Sequence, residues 1–255
     1  NDGSDVILSD EFLNRYPFKI QYILAPHRGV SAARNTALDA ATAEYVAYCD
    51  SDDLYYNACG LWILFREFSL GEFDGLRSLF IEETRHPKTG EVIYINREND
   101  STFVHGKVWR REYLIENKIR WNEDLTIHED SYFNSLALNL SENIKDCPYP
   151  FYLWRWRDDS VCRHDPKYMV KTYANFIDSN DALVDEYLRR GKNEEAANIC
   201  AMMVLPVIHG SVSTGIRMTD PKLLEMAKVS RLPKLRILRR IYIPSVMPFF
   251  RTSSV

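Results

Sequence analysis

The sequence lacks a cysteine framework: its five cysteines are scattered. Cys49, Cys59, Cys147, Cys162 and Cys200 are odd in number, widely spaced and contain no C-x-x-C pair. That pattern argues against a disulfide framework and a zinc site, and reads as reduced thiols in a reducing compartment. Long apolar runs are also missing. The best local run, ICAMMVLPVIHG, falls short of the ~20 residues of a membrane span and is interrupted by Pro206. No leader-like segment, internal repeat or low-complexity tract is visible in the chain. A net charge of −4 argues against a nucleic-acid binder. Acidic residues stop at Glu225, after which Lys228, Arg231, Lys234, Arg236, Arg239, Arg240 and Arg251 follow.

What is present is globular in composition, with 45% hydrophobic and 27% charged residues among 255. Asp5 to Tyr16 reads as a helix, KIQYILAP as a short strand, and GVSAARNTALDAA as a helix that Ser31 caps or opens. EYVAYCD reads as a buried strand, NACGLWILFREFS as a helix and GLRSLFIEET as a strand. HPKTGEVIYI has the form of a hairpin turning at Lys88-Thr89-Gly90. HGKVWRREYLIENK and HEDSYFNSLALNLS read as helices, and YPFYLWRWRDDSVCR as a strand entering a charged loop. This alternation predicts an α/β, doubly wound, mostly parallel sheet flanked by helices over residues 1–165. An all-helical extension is expected over 166–255.

The chemistry is concentrated in CDSDD. Asp50, Ser51, Asp52 and Asp53 stand at the end of an apolar strand, where ligands bind in open α/β sheets. Like charges this close repel. Carboxylate oxygens at i and i+2 suit Mg²⁺ or Mn²⁺, and a helix-capping role is the alternative for any one of them. Farther on, Glu129-Asp130 opens a helix, as a carboxylate pair able to abstract a proton or simply complementing the helix dipole.

These motifs, in order, resemble the family 2 glycosyltransferases of the GT-A fold. The resemblance rests on NDGS, GVSAARNTALDAATAEYVAYCDSDDLY, HGKVWRREYLIENKIRWNEDLTIHEDSYF and YLWRWRDDSVC, and covers residues 1 to about 165. It implies inverting transfer of a sugar from a nucleotide-diphosphate donor, UDP-sugar favoured, to a hydroxyl of a glycan or lipid-linked acceptor. By the same resemblance Asp2, Gly3, Arg34, Asn35, Asp50 and Ser51 lie at the nucleotide. Asp52 and Asp50 hold Mn²⁺ or Mg²⁺, with His164 as a further candidate, and Asp53 caps a helix or supports the site. Asp130 is the general base beside Glu129, while Arg155, Arg157 and Ser160 form a donor-phosphate lid. His128 stands where the family often has Gly.

The family carries a strand and helix ahead of its D-G-S, so the resemblance leads to the expectation of a longer natural protein, its first strand lying beside Glu44–Asp50. A nucleotidyltransferase or a non-catalytic sugar-nucleotide-binding protein on the same fold is the alternative. The first of these is expected to show a Gly-rich basic phosphate loop. The segment 228–251, KVSRLPKLRILRRIYIPSVMPFFR, mixes basic and apolar residues. It reads as a peripheral membrane contact or as a helix packed on the domain. The expected location is cytoplasmic, extending to the inner membrane face, with polysaccharide synthesis at the cell envelope as the setting.

Overall fold

A computed structural model describes residues 1–5, 7–56, 58–99, 102–158, 160, 168, 172–203, 220–222, 224–225 and 241–242. Cys162, His164 and most of 228–251 therefore lie outside the described residues. The chain divides into two compact units, 1–183 and 184–255.

The first unit is α/β. Its helices are α1 (Asp10–Leu13), α2 (Val30–Ala40), α3 (Ala58–Phe68), α4 (Arg111–Glu116) and α5 (Glu129–Asn139). Its strands are β1 (Tyr45–Ala47), β2 (Leu54–Tyr55), β3 (Gly75–Arg85), β4 (Val92–Arg97), β5 (Lys107–Arg110) and β6 (Ile144–Trp154). They form one sheet in the order β1-β5-β3-β6-β2, with β4 added beside β3. The α/β class stands, but the sheet is mixed: among the described residues only β3 and β6 pair in parallel. For β3 and β4 the reason is connection length. The β3–β4 link is a tight hairpin, closed by Gly90 N–H on His86 O at 2.9 Å with Gly90 at φ 72°. Short links of this kind impose antiparallel pairing, whereas β3 to β6 travels through α4 and α5.

Four local expectations need correction. The helix expected over Asp5–Tyr16 shrinks to α1, which starts where Ser9 Oγ accepts the Phe12 N–H and buries no residue. A helix needs a packed face to persist at such length, and Ile7 and Phe12 are exposed. KIQYILAP joins no ladder; Ala25 N–H bonds Asn1 O instead, at 2.9 Å. HGKVWRREYLIENK is not one helix. Gly106 turns at φ 64°, Lys107–Arg110 pairs as β5 with β1 and β3, and only then does α4 begin. The cap of α2 is Gly29, with no side-chain capping bond, and Ser31 is buried in its first turn.

The strand expected as EYVAYCD is β1, at the end of the sheet order and only partly buried. Cavities flank it on two sides. One, of 340 Å³, lies between β1 and Lys19, Gln21 and Ala37. The other, of 330 Å³, lies between β1 and Leu61, Leu64, Phe65 and Phe68 of α3.

Two apolar layers hold the sheet. Leu64 and Phe68 of α3 pack on Leu76, Phe80, Val108, Cys147, Phe151 and Tyr152. Trp109 of β5 meets Phe133 of α5 edge-on, at 6.3 Å, and Phe133 stacks on Trp121 at 4.2 Å. Each such buried ring contributes roughly 1.5–3 kcal/mol, so α5, which carries Glu129 and Asp130, is anchored tightly.

In the second unit and its approach the described residues are mainly helical, in α6 (Tyr173–Arg189) and a helix over 193–203. Within the second unit, Gly191 at φ 72° ends α6 and Lys192 N–H bonds Tyr187 O at 2.8 Å. Glu186 pairs with Arg189 and Arg190. Among the described residues no helix is long and apolar enough to cross a membrane.

Candidate active site

The acidic turn follows β1 directly. Asp53 N–H donates to Asp50 O at 3.0 Å, closing the turn around Ser51 and Asp52. Tyr152, fully buried near the end of β6, braces both ends of it. Its hydroxyl accepts the Asp50 N–H at 3.1 Å and donates to Asp53 Oδ2 at 2.7 Å. The other Asp53 oxygen accepts the Arg155 N–H at 2.9 Å. Burial pushes the Asp53 carboxyl up to about 6, although these two donors pull it down.

His105 completes this corner. Its Nδ1 lies 3.9 Å from Asp53 Oδ2. Its ring sits among Phe103, Tyr152 and Trp154, with centroids 5.4, 4.7 and 5.3 Å away. One ligand atom each from Asp50, Asp53 and His105 lies within 4.8 Å of the others. Two carboxylates and an imidazole are a mixed oxygen and nitrogen set suited to a divalent ion such as Mn²⁺, so the residues fit such an ion.

Arg34 organises the opposite corner. From α2 its guanidinium donates to Asp50 Oδ1 at 2.8 Å, Asp130 Oδ1 at 2.6 Å and Glu129 Oε1 at 3.3 Å. It also lies over the Trp121 ring, 4.3 Å from its centroid. Asn35 holds the Trp121 backbone from the next position on α2: its amide donates to Trp121 O and Glu123 Oε1, and its oxygen accepts the Trp121 backbone N–H. Burial of Arg34 opposes its charge, but Asp130, Asp50 and Glu129 together outweigh burial and hold the guanidinium more firmly charged. Burial raises both Glu129 and Asp130, and Asp130 raises Glu129 further. Arg34 and the Val104 N–H, 3.3 Å from Asp130 Oδ2, pull Asp130 back toward its ionised form.

His128 precedes this pair in the left-handed region, at φ 65°. Glycine adopts that conformation without strain, which gives a physical reason for the family's frequent Gly there. Ser179 Oγ donates to His128 O at 3.0 Å, and Phe176 meets the ring edge-on at 5.7 Å.

The fold thus gathers Arg34, Asp50, Glu129 and Asp130 into one network. Of the three aspartates in the turn it brings Asp53, with Asp50, to His105. Asp52 is half-exposed, and its carboxylate accepts Arg157 Nη1 at 3.2 Å. Arg155 enters through its backbone, and Ser160 N–H bonds Arg157 O at 3.3 Å. Ser51 is exposed in the turn. Asp2 makes its side-chain contact with His27, Oδ2 to Nδ1 at 3.1 Å. Gly3, at φ 100°, has no room for a Cβ beside that same His27.

His105, Tyr152 and the Val104 N–H are not singled out by sequence reasoning. One signal was present: Tyr152 and Trp154 alternate along β6, placing both on one face at the strand's end. His105 carries no such pattern.

Residues 1–60 match the family described as Glycosyl transferase family 2. The chain is 24% identical over 161 residues to the uncharacterized glycosyltransferase EpsJ of Bacillus subtilis strain 168, covering 56% of this chain and 46% of that protein. It is 24% identical over 219 residues to the poly(ribitol-phosphate) beta-glucosyltransferase of Bacillus spizizenii, covering 80% of this chain and 33% of that one. It therefore spans less than half the length of either curated relative. Among solved structures, S. aureus TarS 1–349 in complex with UDP-GlcNAc superposes with a TM-score of 0.54 at 19% identity, over 76% of this chain and 57% of that one. A further crystal structure of S. aureus TarS 1–349 gives a TM-score of 0.50 at 18% identity, over 70% of this chain and 52% of that one. The chain has the GT-A fold and is similar in sequence, over residues 1–60, to the family 2 glycosyltransferases.

Proposed function

We propose that the protein is an inverting, metal-assisted glycosyltransferase. It moves a sugar from a nucleotide-diphosphate donor, UDP-sugar favoured, to a hydroxyl of a glycan or lipid-linked acceptor. The observation that carries this reading is the joining of two acidic sites through Asp50: a group fit for a divalent ion on one side, and a buried Glu129-Asp130 pair on the other. The Bacillus spizizenii relative, described as a glucosyltransferase, and the UDP-GlcNAc complex of TarS support the donor class.

Asp50, Asp53 and His105 would hold the ion, and the resemblance adds Asp52. When bound, the ion supplies positive charge against the diphosphate as it leaves. The imidazole argues for a transition-metal ion over Mg²⁺, a hard cation that takes oxygen ligands. The residues do the rest. Asp130 accepts the proton of the acceptor hydroxyl. The hydroxyl oxygen then forms its bond to the anomeric carbon as that carbon's bond to the diphosphate oxygen breaks, which inverts the centre. Arg34 and the Val104 N–H favour the ionised, proton-accepting form of Asp130 despite its burial. Glu129, raised by burial and by its neighbour, keeps a proton more readily and so limits the excess negative charge around one guanidinium.

The test is turnover of UDP-sugars with Mn²⁺ present or chelated. Metal-dependent release of UDP that is lost in Asp130→Asn, while UDP binding persists, is the expected result. Metal-independent turnover, or an active Asp130→Asn, would reject the assignment.

A further inference from the structure

Lys107 is the buried cation that this mechanism leaves unused. It opens β5 at 2% exposure, and an ammonium group so placed is costly unless its donors are bonded. Its Nζ donates to Asn99 Oδ1 and to Phe103 O. The Asn99 amide in turn donates to Ser78 O at 2.7 Å and His105 O at 2.6 Å. Asn134, fully buried on α5, donates to Phe103 O at 2.8 Å. Gly106, at φ 64°, completes the turn, and a Cβ there would meet Asn99 Nδ2 at 2.7 Å and Ser78 O at 3.0 Å.

Three buried or half-buried polar side chains thus converge on the backbone of residues 103–105. That short turn supplies one group to each acidic corner: the Val104 N–H reaches Asp130, and His105 reaches Asp53. Asp130 and Asn134 are one helical turn apart, so they lie on the same face of α5. Both bond this turn, at Val104 and Phe103.

We propose that Lys107, acting with Asn99, is a positioning residue. It holds the 102–106 turn in the conformation that presents Val104 to the proton-accepting carboxylate and His105 to the Asp50–Asp53 pair. The inference rests on the functional reading above for the words catalysis and metal, but its geometric part stands without them.

The experiment compares the full chain with Lys107→Met, with the milder Asn99→Asp, and with Ile119→Val. Asn99→Asp keeps an acceptor for Lys107 and removes the donors to Ser78 and His105. Ile119→Val lowers Tm at a buried site outside the turn. Hydrogen exchange of the peptide covering 102–106 is read without metal or substrate. It is expected to accelerate about tenfold or more in Lys107→Met and Asn99→Asp and to stay at the wild-type rate in Ile119→Val. Should Lys107→Met fail to fold, Asn99→Asp alone decides. Wild-type exchange in the folded variants overturns the strut. In Lys107→Met and Asn99→Asp kcat is expected to fall about 100-fold with donor KM little changed, and in Ile119→Val kcat stays near the wild-type value. Loosened exchange with unchanged kcat, in a wild type that does turn over, overturns the positioning role. A wild type inactive on every donor would instead indict the functional reading, and the exchange result would still decide the strut.

Discussion

Two aspartates three residues apart illustrate two ways of holding negative charge in a protein. Asp50 faces a cation: Arg34 lies 2.8 Å away and also binds Glu129 and Asp130. Asp53 faces neutral donors, the Tyr152 hydroxyl and the Arg155 N–H. Burial pushes Asp53 up to about 6 and raises Asp130 as well, but at Asp130 the Arg34 guanidinium opposes the shift. Neutral donors lower the cost of a buried carboxylate without cancelling its charge. The Asp53 corner, with His105 beside it, thus has charge left to attract a cation, and in the Arg34 corner a cation already faces the carboxylate proposed as the proton acceptor.

The difference can be broken at each corner. The largest effect is expected from Asp130→Asn, which removes the proton acceptor and keeps the shape. Turnover should fall by about 10²–10⁴-fold, measured as UDP release, with UDP affinity retained. Arg34→Met comes next. It leaves Asp50, Glu129 and Asp130 facing one another without their counter-ion, and breaking a buried pair in this way costs about 3–5 kcal/mol. Denaturant unfolding at neutral pH should show that loss, with part of it recovered at acid pH as the carboxylates take up protons.

Asp53 gives a pH signature of opposite sign to that of an ordinary paired carboxylate. Its folded pKa of about 6 exceeds the unfolded value of 3.8. Between those two values the folded state holds the proton more tightly, so Asp53 makes stability decline as pH rises through that window. Asp53→Asn should flatten this decline in metal-free protein, measured as Tm across pH 4 to 6. An unchanged slope would show that Asp53 is not the group responsible. The smallest effect is expected from Asp39→Asn. Asp39 and Arg120 pair in the open, with Asp39 62% exposed, and such pairs contribute at most about 1 kcal/mol. If its loss equals that of Arg34→Met, burial is not what distinguishes the site.

Much of the Arg34 corner was legible in the sequence because its members fall in blocks with a recognisable order: A-R-N, D-S-D-D and E-D. Their mutual contact was not, since Arg34 and Asp130 are 96 residues apart. The helical period marked α2 and α5, and the glycine turn marked the β3–β4 hairpin. The Asp53 corner was harder. Asp53 reads as a helix cap or a supporting group, and nothing local announces its partner Tyr152, which lies 99 residues away on β6. Lys107 read as a helical residue because KVWRREYL alternates and repeats at once; pairing with β1 and β3 decides for the strand. The mixed sheet had the same cause, since ladder direction follows from connections rather than from strand composition.

The central claim is that the two corners act together, an ion at Asp50, Asp53 and His105 and a proton acceptor at Asp130. Mn²⁺ titration of UDP release from UDP-sugars by the wild type and by His105→Ala tests it most directly. The account predicts saturable Mn²⁺ activation in the wild type, abolished by chelation, and a much weaker Mn²⁺ response in His105→Ala. Equal Mn²⁺ dependence in the two proteins, or wild-type turnover indifferent to chelation, would contradict it.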